Sequence, residues 1–144
     1  MPLDVMTEIT IDRLIEVVSA YVEDPTHAPE WYANIRSAEW ETPPPHGVGS
    51  RVAFEARFLG RRLVYTYELV EAVPGRRLVM RTAQGPFPME TSYEWTPAGA
   101  STHMTLRNRG RPAGFSRLMM LFMPMAVRRA TRKDLARLKA LLEA

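Results

Sequence analysis

Along most of this chain apolar and polar residues alternate with a period of two, and this region is framed by stretches whose apolar period is helical. At the N-terminus Val5, Thr7 and Ile9 alternate with Met6, Glu8 and Thr10, which predicts a strand over Val5 to Thr10. Asp12 then stands where a helix cap belongs. Leu14, Ile15, Val18, Tyr21 and Val22 follow at helical spacing and stop at the breaker Glu23-Asp24-Pro25. A second, shorter helix is expected next, with Pro29 in its first turn and Ala28, Trp31, Tyr32 and Ile35 on one side.

From Ser37 to Asn108 turn signals recur at Pro43-Pro44-Pro45-His46-Gly47, Leu59-Gly60, Pro74-Gly75, Gly85-Pro86 and Pro97-Ala98-Gly99. They separate six strand-length runs, and connections this short predict an antiparallel meander. Parity assigns the faces. Ala38, Trp40, Val52, Phe54, Ala56 and Phe58 fall on one side, as do Leu63, Tyr65, Tyr67, Leu69, Leu78 and Met80. Thr82, Thr91, Tyr93, Trp95, Met104, Leu106 and Asn108 complete that inward set. The opposite parity collects Glu39, Glu55, Arg57, Glu68, Arg81, Glu94, His103 and Arg107, so one sheet face is read as solvated and laced with cross-strand charge pairs.

A long helix is predicted from about Phe115 to Leu142. Its first part, FSRLMMLFM, is apolar nearly all round, and beyond it a stripe of Val127, Ala130, Leu135, Leu138, Leu141 and Leu142 opposes a basic side. Pro124 interrupts the helical bonding and is expected to kink it.

A length of 144 residues suits a single domain spanning 1–144. With no cysteine, a disulfide framework, a thiolate metal site and a Cys nucleophile are all excluded. Three scattered histidines give no metal-binding spacing, so neither a metal nor another cofactor is expected. No apolar run is long enough to cross a membrane, and the acidic start MPLDVMTEITID lacks the character of a signal peptide; a soluble, cytoplasmic protein is expected. From Gly114 onward seven basic residues face two acidic ones, a net +5 that leaves −2 for the residues before it against a formal total of +3. A tail of that sign suits either a solvated helix face or an anionic partner. The pairs Arg61-Arg62 and Arg76-Arg77 stand at hairpin ends with no aromatic residue interleaved, so a nucleic-acid surface is not expected.

This order of elements, together with Asp24, Ala28, Pro29 and Trp31, the strand VGSRVAF, the hairpin segment PGRRLVMR and the tail DLARLKALLE, resembles the START/Bet v1-like superfamily, and within it the bacterial polyketide cyclase/dehydrase-like group. The resemblance covers almost the whole chain. It implies an α+β helix-grip fold: a curved seven-stranded antiparallel sheet wrapped around a long C-terminal helix, with two short helices after the first strand. It also implies a ligand cavity between sheet and helix.

The residues expected to bind a ligand there come from three places. Trp40, Phe54, Phe58, Tyr65, Tyr67 and Met80 lie on the inward sheet face, with Tyr93, Leu106 and Asn108 beyond them. Phe87 and Met89 sit in the GPFPMET loop, which either covers the cavity as a lid or plugs the end of the barrel. Phe115, Leu118, Met119, Phe122 and Met123 open the last helix, where methionine suits an adaptable apolar surface.

No nucleophile with an orienting base is visible, so no catalytic residue is assigned. His103 has outward parity, His46 sits in a proline-rich loop at the expected cavity entrance, and His27 flanks the second helix. The inward polar groups are hydroxyls and one amide, uncharged at neutral pH. They suit orientation of a hydrophobic or aromatic, lipid- or polyketide-like small molecule. The rival readings are a polyketide cyclase, aromatase or dehydratase using the same pocket, and a module whose basic helix meets a protein or a membrane. Oligomeric state is not legible.

Overall fold

The computed structural model describes residues 2–144. Strand β1 (Leu3–Ile11) is followed by helix α1 (Ile15–Val22), a single 3-10 turn (Pro25–His27) and the four-residue helix α2 (Ala28–Trp31). Six strands come next: β2 (Ile35–Trp40), β3 (Arg51–Phe58), β4 (Arg61–Val73), β5 (Arg77–Gln84), β6 (Met89–Ala98) and β7 (Ser101–Gly110). Helix α3 (Arg117–Glu143) closes the chain. The seven strands form one antiparallel sheet in the order β1-β7-β6-β5-β4-β3-β2, so β1 joins the far edge of the meander by pairing with β7. Register shifts at Ile35/Ser37, Thr66/Tyr67 and Leu69/Glu71 are bulges, which bend strands and add twist, and they help the sheet curl around α3. The β3–β4 turn needs two consecutive positive φ angles, supplied by Leu59 at 51° and Gly60 at 76°, the geometry that matches strand twist in a two-residue hairpin.

The parity reading of the inward face holds, while Thr66, Val79, Glu90 and Ser92 in the middle of the opposite face are buried rather than solvated. Val52, Phe54, Tyr67, Leu69 and Leu78 are buried, as are Met80, Tyr93, Trp95, Met104 and Leu106, and they pack with Trp31, Leu135 and Leu138 in one core, with Leu63 buried outside it. The opposite face carries ion pairs, although not always with the expected partners. Glu55 pairs with Arg62 at 2.9 Å, leaving Arg57 without an ion pair among the described residues, and Glu68 pairs with Arg51 at 3.2 Å.

Three local expectations change. Asp12 caps nothing: its carboxylate accepts from the Ser101 hydroxyl at 3.0 Å and its N–H donates to Glu143 at 2.7 Å, tying the end of β1 to β7 and α3. Helix α1 therefore starts later, after Leu14, and that residue is exposed. The second helix ends at Trp31 because Tyr32 turns extended, Ala33 N–H docks on Asp134 at 3.0 Å, and Ile35 already pairs in β2. Asp24 caps the 3-10 turn that leads into this helix, accepting from Thr26 N–H at 3.0 Å. In α3, Ser116 is the N-cap, accepting from Met119 N–H at 3.2 Å, and the helix runs through Pro124, where the carbonyl of Met120 loses its usual donor.

Candidate functional site

Between the concave sheet face, α2 and α3 lies a cavity of about 170 Å³. It sits toward the end of the molecule where β3 meets β4 and where β7 leads into α3. Phe58, Leu63, Phe87, Met89, Pro112 and Phe115 enclose that end, and Phe54, Tyr65, Tyr67, Met80 and Tyr93 form the sheet wall. Met123, Val127, Ala130 and Asp134 face it from α3, one position per turn.

Of the residues expected at the site, Phe54, Phe58, Tyr65, Tyr67, Met80 and Phe87 line the cavity, together with Met89, Tyr93, Asn108, Phe115 and Met123. Five do not. Trp40 lies at the distal end of edge strand β2, opposite Val52, with its ring stacked on His46 at 3.7 Å. That stacking also takes His46 away from the cavity entrance, where the sequence had put it. Leu106 is completely enclosed in the core and presents no surface to the cavity. Leu118 and Phe122 point into solvent, because the helical turn that brings Met123 and Val127 inward carries them to other sides, whereas Met119 shares the face of Met123 but lies one turn nearer the helix start, outside the cavity lining and 40% exposed. Phe87 is buried and meets Phe115 edge to face with centroids 6.1 Å apart, so the apolar loop plugs the cavity end. Arg61 lies over the Phe115 ring at 5.2 Å and donates to the Ala113 carbonyl, fastening the β7–α3 connection across it.

Inside the apolar walls the polar groups form short chains. Tyr67 shares a hydrogen bond with the Thr91 hydroxyl at 3.0 Å, and Thr91 donates to Asn108 at 3.0 Å. Tyr32 and Tyr93 share one at 2.7 Å. The Tyr65 hydroxyl has no hydrogen-bond partner among the described residues. Burial pushes the phenols of Tyr65, Tyr32 and Tyr93 well up and that of Tyr67 up to about 12, so all four are neutral at physiological pH. They can donate and accept hydrogen bonds but cannot act as phenolate bases.

Asp134 is different, and the sequence reading missed its role, counting it with the charges of the tail. It occupies a position of the apolar stripe, one turn after Thr131 and one before Leu138, and an acid in such a stripe was the signal. Only 3% exposed, it accepts from Ala33 N–H at 3.0 Å through one oxygen, and the other takes no hydrogen bond from the described residues. Burial raises its carboxyl to about 6, against the opposing effects of the Ala33 amide and Arg137. The other carboxylates at the lining are already engaged: Asp24 by Thr26, and Glu90 by Arg81 at 3.1 Å and Arg109 at 3.7 Å. Trp31 and Tyr32, read from the sequence only as a helix face, also line the cavity.

The histidines contribute nothing here. His103 faces outward, 3.5 Å from Glu8, and His27 stacks on Tyr21 at 4.4 Å. Among the described residues no group of three or more His, Cys, Asp or Glu is placed to hold a metal ion, and no helix is long and apolar enough to cross a membrane.

Comparison with known proteins places this architecture among solved structures at low identity. A protein of Thermus thermophilus superposes with a TM-score of 0.82 at 18% identity, with 96% of each chain covered. A START superfamily protein from Mycobacterium smegmatis gives 0.81 at 15%, covering 97% of each chain. The Zhui aromatase/cyclase of a Streptomyces species gives 0.76 at 16%, covering 97% of this chain and 93% of the other. At such identities these likenesses speak to the fold. No curated protein sequence matches significantly. The model of the family described as polyketide cyclase / dehydrase and lipid transport matches residues 2–143, and the chain therefore belongs to that family.

Proposed function

We propose that the protein binds a hydrophobic or aromatic small molecule in the cavity between sheet and α3. The observation that carries this reading is the combination of aromatic and aliphatic walls with a free phenol, Tyr65, and a carboxylate with one free oxygen, Asp134. Size narrows the class. An apolar cavity of about 150 Å³ takes up benzene, so about 170 Å³ suits a one- or two-ring aromatic or a short acyl segment. The test is titration with a hydrophobic fluorophore followed by competition with naphthols and naphthalene. Saturable one-site binding, with quenching of Trp31 at the cavity wall and preference for the hydroxylated competitor, is expected. Failure of every hydrophobic probe to saturate the folded protein would overturn the reading.

An enzymatic second reading, cyclisation or dehydration of a polyketide-like substrate, draws on one observation. Asp134 has a carboxyl near 6 and an unengaged oxygen at the cavity wall, the properties of a group able to take up a proton near neutral pH. Asp134→Asn separates the two. A binding protein keeps its affinity for neutral ligands within a small factor, whereas an enzyme that uses this carboxylate loses turnover with binding retained.

A further inference from the structure

The first turns of α3 expose more large apolar surface than any other element. Leu118 is 66% exposed, Leu121 72%, Phe122 53% and Met125 69%, within eight residues. Ordinary surfaces scatter such residues singly, and a cluster marks a contact. Leu118, Phe122 and Met125 follow helical spacing along one line, and the same line continues through Arg129 and Arg132. One outward helix face is thus apolar at its start and basic further on.

Charge identifies what fits it. From Phe115 to Lys133 the chain has five basic residues and no acid. Arginines of the sheet are largely matched: Arg51 to Glu68, Arg62 to Glu55, Arg81 to Glu90 and Arg107 to Asp4. Among the described residues Arg117, Arg129, Arg132 and Lys133 have no such partner. A second copy of the chain would bring the same unmatched cations against each other. We propose that this face docks on an anionic lipid bilayer, the apolar turns entering the headgroup boundary and the arginines meeting phosphate groups. The contact would lie beside the cavity end closed by Phe87 and Phe115, so a docked molecule would present that end to the lipid phase.

The test is co-sedimentation of the intact protein with vesicles of phosphatidylcholine alone and of equal phosphatidylcholine and phosphatidylglycerol. Binding is expected only to the anionic vesicles and should fall when ionic strength rises from about 0.1 to about 1 M, which shortens the screening length from about 10 to about 3 Å. Each cation at such a surface contributes about fivefold to partitioning. Arg129→Glu with Arg132→Glu should therefore lose at least about tenfold, and Leu121→Ser with Phe122→Ser a comparable amount. Both pairs are exposed, so fluorophore affinity and thermal unfolding should stay at parental values. Arg13→Glu with Arg76→Glu makes the same change in net charge at the opposite end of the sheet, where β1 ends and β4 turns into β5, and should retain binding. No vesicle binding by the parent at low salt would overturn the proposal, as would equal losses in the two charge-reversal variants or full binding by the serine variant. A parental dimer in sedimentation equilibrium that the serine variant dissociates would assign the face to a second copy instead.

Discussion

The Tyr32 and Tyr93 hydroxyls meet at 2.7 Å, linking the chain just after α2 to the middle of β6, 61 positions away. Both rings are packed among aromatic neighbours, Tyr32 against Trp31 at 4.1 Å and Tyr93 against Trp95 at 6.2 Å. The bond explains why α2 is so short. Extending the helix through Tyr32 would swing the phenol away from β6 and the Ala33 amide away from Asp134.

Removing one hydroxyl strands the other at the cavity wall, whereas removing both strands neither. Tyr32→Phe and Tyr93→Phe should each cost about 1 kcal/mol, and the double variant little more than either single one. Urea unfolding of the four proteins checks this. Additive losses would mean that the two hydroxyls do not share a bond that matters to stability.

Asp134 makes stability depend on pH in the sense opposite to that of a salt-bridged acid. Its carboxyl is raised from 3.8 to about 6 by burial, so between those values the folded protein holds a proton that the unfolded chain has released. Stability from this group is present below pH ~4 and declines as pH rises through ~6, by about 3 kcal/mol at most for a shift of this size. Asp134→Asn keeps an acceptor for the Ala33 amide without the buried charge. It should raise the urea midpoint at pH 7.5 and do little at pH 4; an equal effect at both would sink the argument.

The two sheet faces predict a sharp contrast between neighbours in β3. Arg57 is exposed and has no ion pair among the described residues, so Arg57→Ala should change stability by no more than about 0.5 kcal/mol. Phe54, 3% exposed and stacked on Tyr65 at 5.3 Å, should cost roughly 2–4 kcal/mol as Ala, below the top of the usual range because part of its ring borders the cavity. Equal losses in thermal or urea unfolding would mean that the sheet faces are misassigned.

These contrasts also show what the sequence could reveal. Period-two alternation reports which side of a strand is buried, and Phe54, Tyr67, Met80 and Tyr93 were therefore legible as one wall. Position along a strand is not encoded in that alternation. Trp40 has the right parity but the wrong end, and Leu106 has the right face with no cavity beside it. The helix start failed for another reason: FSRLMMLFM is apolar on every side, so no periodicity could tell inward Met123 from outward Phe122. Asp134 lay beneath a charge count that treated every ionised residue of the tail as solvated.

Helix α3 is the cover of the sheet. Its buried side chains Met123, Thr131, Leu135 and Leu138 oppose the concave face, and without them Trp31, Phe54, Tyr93 and Leu106 would share one uncovered apolar surface. A sheet with one bare apolar face has no stable two-layer packing. Deleting the chain from Gly114 onward should therefore give insoluble protein. Removing only the residues from Leu141 onward takes away exposed Leu141, partly buried Leu142 and the Glu143 bonds to Asp12 and Lys139. That shorter deletion should leave a folded, soluble chain with fluorophore binding intact, since the cavity residues of α3 end at Asp134. Soluble expression and the far-ultraviolet dichroism of the two truncations decide the matter. A folded protein lacking all of α3 would show that the sheet buries its aromatic face by some other route, and the cavity would then have lost its second wall.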